Sequence, residues 1–207
     1  MKLQMPSTRA TFVPSSLTKD KPVPTRSLVL IALFTAIIVV LGLVPPLMLG
    51  FFPVPIHAQS LGVILAGVIL GARGGTLSVL LLLVLVAIGL PVLSGGRGGL
   101  AVFVSPTAGY LIGFLPMAFV AGWIAERVTA RGLVGWHLFL GLFGAGLVGV
   151  VFCHALGITW LASAAGLSLS DAVIGNLIFV PGDAAKAAIA AYAGQIVATN
   201  LGSRARV

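Results

Sequence analysis

The chain has 207 residues, of which 59% are hydrophobic and only 8% charged, with a mean hydropathy of +1.18. Twelve Lys or Arg and four Asp or Glu cannot cover a water-facing exterior, because soluble domains carry roughly a quarter charged residues; a soluble protein is excluded and the solvent is lipid. The net charge of +8 sits at the termini and in gaps between apolar runs, with no basic face interleaved with aromatics, which excludes nucleic acid as a partner.

Residues 1–26 hold Pro, Ser, Thr and Lys without an apolar segment, so they read as a disordered cytoplasmic tail rather than a cleaved signal peptide. A membrane domain over 27–200 follows, then a short cytoplasmic C-terminal tail, 201–207. Crossing about 30 Å of hydrocarbon takes about 20 apolar residues. Six runs approach that length: 27–44, 56–70, 75–90, 107–125, 136–162 and 181–199. The second and third are short and joined through Gly71, Ala72, Arg73 and Gly74, which predicts a helical hairpin. The fold class is therefore all-α, with six transmembrane helices.

Loop charge supports this count. With the N-terminus inside, Lys2, Arg9, Lys19, Lys21, Arg26, Arg73, Arg127, Arg131, Arg204 and Arg206 are cytoplasmic, and Arg97 is the outside loop charge. Cytoplasmic loops are enriched in Lys and Arg, so both termini are expected inside.

Polar groups at membrane depth are the informative residues, since an ionisable side chain there costs about 2.5–3.5 kcal/mol and faces a cavity or a partner. Asp183 and Lys186, in the run Pro181, Gly182, Asp183, Ala184, Ala185, Lys186, lie at i and i+3 and share a helix face. Pro181 and Gly182 are expected to break the chain just before them. The helix dipole favours Asp183 near the N-terminus but disfavours Lys186, so helix stability does not explain the Lys. The competing reading is an ion pair snorkelling at the interface. Arg97 is flanked by Gly95, Gly96, Gly98 and Gly99, whose backbone can approach a ligand closely. Gln59, Tyr110 and Asn176 stand at the outer ends of spans and are softer pocket candidates, being ordinary features of membrane interfaces.

Several chemistries have no support. The three His residues, His57, His137 and His154, are scattered without carboxylate or Cys at ligand spacing, so no metal site is expected. His154, beside Cys153, reads as a hydrogen-bonded packing residue. The lone Cys153 offers no disulfide, and no phosphate loop or catalytic triad is present. No cofactor is expected. Ala32 and Ala36 form a small-residue pair on the first span that suits close helix packing.

Four stretches together resemble the biotin-specific S component (BioY) of energy-coupling factor transporters: Ala32 to Ala36; Pro53 to Gln59; Gly95 to Leu100 on through Pro106, Gly109 and Tyr110; and Pro181 to Lys186. The resemblance implies a six-helix S-component fold in the plasma membrane that captures biotin, the transported ligand, on the extracytoplasmic side. It implies that Asp183 and Lys186 line the pocket, that the Arg97 loop closes over it, and that Ala32 and Ala36 face a transmembrane T subunit. Two ATPase subunits would supply the energy while the S component topples in the bilayer. Family members often carry Thr at the place of His57 and Gly at the place of Ala108, which bears on the shape of the outer cap. An Asp suits a ureido N–H and a Lys or Arg suits a carbonyl or carboxylate, but which cation meets which oxygen is open. The competing functions are an S component for another vitamin and a proton-coupled carrier using Asp183 or His154. Whether the chain acts alone, as a homo-oligomer or with an energising module is also open.

Overall fold

The computed structural model describes residues 24–46, 54 and 57–201. Among them the helices run α1 (Thr25–Gly42), α2 (Gln59–Ala87), α3 (Ala108–Ala130), α4 (Gly135–Ala165), α5 (Leu169–Asn176) and α6 (Val180–Leu201), with 3₁₀ turns at Leu100–Val104 and Leu177–Phe179. Most of the expected N-terminal tail and nearly all of the C-terminal one lie outside the described residues, as do Pro53, Pro55 and Ile56 of the second motif. Large apolar side chains such as Leu28, Val29 and Val40 on α1, Val151 on α4 and Ile189 on α6 point outward, as helices in lipid require.

Five described runs are long and apolar enough to cross a membrane, against six expected; the last joins α5 to α6 as Leu169–Asn200. The difference lies in α2, where the two expected spans are one helical run interrupted at Gly71. There φ is 85° and ψ −177°, a backbone conformation suited to Gly. A straight helix from Gln59 to Ala87 would hold its ends about 42 Å apart. Instead Gln59 Nε2 donates to the Val92 carbonyl at 3.0 Å, and Ser94 N–H donates to Gln59 Oε1 at 3.3 Å. A Cβ on Gly75 would stand 2.7 Å from Gly67 Cα. The element therefore folds back into two legs, 59–70 and 72–87, and the expected four-residue turn shrinks to one residue.

The bend is held from α3. Ala72 N–H, the first donor of the second leg, reaches Glu126 Oε1 at 2.9 Å, a negative group where the helix dipole favours one. Gly122 allows this approach, since a Cβ there would stand 2.4 Å from Ala72 N. Elsewhere α3 packs on both α2 and α4, and α6 packs on α4 and α2. Small residues bring α3 and α4 together: Gly113 lies against Cys153, and Gly157 leaves room for the Tyr110 ring. Buried Thr35 and Ser78 tie α1 to the second leg, with Thr35 Oγ1 2.9 Å from Ser78 O and Ser78 Oγ 3.2 Å from Ile31 O. Ile38, Ile64, Leu70, Leu82, Met117, Leu142 and Leu161 are the largest fully buried apolar side chains.

Two features depart from expectation near the sixth span. The short helix α5 fills part of the expected loop, started by Ser168, whose Oγ accepts from Asp171 N–H at 3.1 Å. Pro181 does not break the chain. It lies in the first turn of α6, where its missing N–H has no helical partner to lose, and the irregular turn is Leu177–Phe179, just before it.

Candidate ligand-binding site

The polar side chains converge at the end of the bundle opposite the Gly71 bend. Asp183, in the first turn of α6, is buried at 6% exposure and yet fully engaged. Its Oδ1 accepts from Lys186 Nζ at 3.0 Å, the i, i+3 pair read from the sequence, and its Oδ2 lies 2.8 Å from His154 Nε2 on α4. Lys186 Nζ also donates to Ser60 Oγ on α2 at 3.0 Å. Behind His154, Nδ1 meets Asn176 Nδ2 at the end of α5, and Asn176 Oδ1 accepts from the Tyr110 hydroxyl on α3 at 2.9 Å.

The direction of donation follows from these partners. The Tyr110 proton goes to Asn176 Oδ1, so the Asn176 amide N–H faces His154 Nδ1. That nitrogen is then bare, and His154 carries its proton on Nε2, toward Asp183. Tyr110, Asn176, His154, Asp183, Lys186 and Ser60 thus form one hydrogen-bonded chain across every helix except α1. The His154 ring is held edge-on between Tyr110 and Phe179, with centroids 5.9 and 6.2 Å away.

Five members of this chain, Tyr110, His154, Asp183, Lys186 and Ser60, form one wall of a cavity. Its other walls are mostly apolar, with Val54, Phe114, Met117, Val150, Cys153 and Phe179 beside His57. A second cavity shares Val54, His57, Tyr110 and Phe114 with the first and reaches Arg97. Arg97 Nε donates to Ser94 O and Nη1 to Thr107 Oγ1, both at 3.2 Å, and among the described residues Nη2 has no partner. The two cavities are therefore adjoining, with an anion and a cation at one end and a second cation at the other.

Two buried polar atoms, His57 Nδ1 and Ser94 Oγ, have no hydrogen-bond partner among the described residues, and both residues line the Arg97 cavity. A buried polar group left unpaired costs about 1–3 kcal/mol, so these two atoms are candidates to meet a polar ligand. Burial, the main cause, and then the charge of Lys186 push the His57 imidazole, just ahead of α2, down to about 4. Among the described residues no three His, Cys, Asp or Glu side chains converge as metal ligands.

The sequence candidates divide accordingly. Asp183, Lys186 and Tyr110 line the first cavity, and Arg97, Gln59 and Tyr110 the second. Asn176 lines neither; it stands behind His154. Gly95, Gly96, Gly98 and Gly99 shape the Arg97 turn without lining either cavity. Gly98 passes so close to the Leu90 carbonyl that a Cβ would stand 2.2 Å from it. Ala32 and Ala36 are exposed on the outward face of α1. Sequence reasoning left out Ser60 and did not place His57 or His154 among the pocket candidates, although it read His154 as hydrogen-bonded, as it is. His154 carried the same signal as Asp183, an ionisable side chain inside an apolar run.

Comparison with known proteins identifies the family. The BioY family profile matches residues 13–203. The chain belongs to the BioY family. It is 57% identical over 174 residues to the biotin transporter BioY of Rhizobium etli, covering 84% of this chain and 93% of the relative. It is 50% identical over 182 residues to the biotin transporter BioY of Rhodobacter capsulatus, with the same two coverages. A crystal structure of the S-component for biotin from an ECF-type ABC transporter superposes with a TM-score of 0.80 at 36% identity, covering 85% of this chain and 92% of that one. The protein is thus a multi-pass membrane protein with the fold of an S component. Its relatives are named as transporters, in line with the reading of a binding protein rather than an enzyme.

Proposed function

We propose that the chain captures biotin for uptake, holding the ureido ring against Asp183 and Lys186 and the carboxylate at Arg97. The observation that carries this is the polarity of the adjoining cavities. A buried anion and cation lie at one end, apolar walls between, and an Arg with unspent donors at the other. Biotin has the matching sequence of groups: two ureido N–H donors and a carbonyl, an apolar thioether ring and chain, and a carboxylate. Asp183 keeps lone pairs free for an N–H, Lys186 keeps one of its three donors for the carbonyl, and the planar guanidinium suits a carboxylate.

The two legs of α2 act as separate crossings, giving six spans with both termini in the cytoplasm. This reading is supported by the return of the chain at Gly71 and by the Lys and Arg bias of the loops on that side. The ligand site then opens on the outer face of the plasma membrane. Exposed Ala32 and Ala36 offer α1 to a transmembrane T subunit, and two ATPase subunits drive transport, consistent with the S-component likeness.

Equilibrium binding of labelled biotin to the purified protein tests the ligand. Saturable binding below micromolar, displaced by biotin but not by riboflavin or thiamine, is expected. Absence of saturable binding, or displacement by another vitamin, refutes the assignment.

A further inference from the structure

We infer that His154, clamped by Asn176 and Tyr110, is a positioning residue that aims the Asp183 carboxylate at a ureido N–H, an inference that rests on the biotin reading above. Lys186 is poorly suited to that task. It shares α6 with Asp183 and carries a long flexible stem, so it can follow the carboxylate rather than fix it. His154 comes from α4 on a short side chain, wedged edge-on between the rings of Tyr110 and Phe179. Its far nitrogen is pinned by Asn176, which is 5% exposed and is itself pinned by Tyr110. Three elements other than α6 therefore converge to set the place of one carboxylate oxygen.

Packing does not call for these polar groups. The approach of α3 to α4 already rests on Gly113 and Gly157, and a His and an Asn inside lipid are a net cost unless they serve something. Asn176 lines neither cavity, so it does not act by touching the ligand. Its effect passes through His154 to Asp183. A hydrogen-bonding site loosened by about 1 Å loses much of its selectivity, and a supporting shell of this kind prevents that.

The test compares biotin with biotin methylated at a ureido nitrogen, each isomer, on purified wild-type, His154→Phe and His154→Gln proteins. Wild type is expected to prefer biotin. His154→Phe loses about tenfold or more on biotin but little on the isomer whose blocked nitrogen faced Asp183, so its preference collapses. His154→Gln restores most of that preference, because its amide can donate to Asp183 and accept from Asn176. A His154→Phe protein that keeps the wild-type preference overturns the inference. Equal losses on both ligands, without rescue by Gln, do the same, as does a wild type indifferent to methylation. Should His154→Phe fail to fold, Asn176→Leu takes its place, and an unchanged preference there is equally adverse. A wild type that binds no biotin at all counts instead against the ligand assignment.

Discussion

Replacing Asp183 by Asn removes one negative charge while keeping the shape of the side chain, and its consequences can be followed atom by atom. In the wild type both carboxylate oxygens accept, one from Lys186 at 3.0 Å and one from His154 at 2.8 Å. The amide of Asn offers one acceptor and one donor group. Lys186 can only donate, so the Asn oxygen turns to Lys186 and the NH₂ turns to His154. His154 must then move its proton to Nδ1, which obliges Asn176 to reverse its amide and Tyr110 to accept instead of donate. The chain survives only by inverting, and Lys186 is left without its counter-ion in a largely apolar wall. Breaking a buried pair in this way costs about 3–5 kcal/mol of stability. The charge-assisted bond to the ureido N–H is worth about 1.5–3 kcal/mol, so biotin affinity is expected to fall about 10- to 100-fold. Equilibrium binding and a thermal melt of purified protein measure the two effects separately. Affinity within twofold of wild type would refute the role given to Asp183, even with the family assignment intact.

Arg97→Ala tests the other end: biotin affinity should drop about tenfold or more, while the neutral amide of biotin binds both proteins alike. An equal loss on both ligands would show that Arg97 shapes the loop rather than reads the carboxylate. For His57, faced by Lys186, Asp183 and Arg97, the imidazole titrates at about 4 in the folded chain and near 6.5 unfolded. Between these values the unfolded state binds more protons, so stability is full above about 6.5 and falls as the pH drops toward 4. The contribution is up to about 2 kcal/mol between pH 6.5 and 5. Thermal melts in detergent at those two pH values should therefore differ more for wild type than for His57→Thr, and parallel shifts would contradict the assignment.

What was legible in the sequence was whatever a single run of residues can carry. Hydrophobic length placed α1, α3, α4 and α6 within a few residues, because the cost of backbone polar groups in lipid leaves little choice but helix. The i, i+3 spacing placed Asp183 and Lys186 on one face because that relation is internal to one helix. The turn at Gly71 was visible as a Gly-rich gap, but its compression to one residue depends on Gly122 and Glu126, which lie on another helix. The α5 segment was lost because it is short and its capping Ser168 sits in what reads as a loop.

The larger omission, His154, has a more general cause. Inside a soluble protein, periodicity separates the buried face of a helix from the wet one, and a buried His then announces itself. Here α4 is apolar all round, so no hydrophobic stripe shows which way residue 154 points. Its partners, Asn176 and Asp183, stand 22 and 29 residues away on elements whose rotation the sequence does not express. Yet the cost of a polar group in lipid applies to His154 and Asn176 as it does to Asp183. Each must have a partner, and few partners exist in a chain with four acidic residues. Scarcity thus does in the membrane what periodicity does in water. With so few polar side chains at that end of the bundle, those that are present are driven to meet, and the place where they meet is the site we propose.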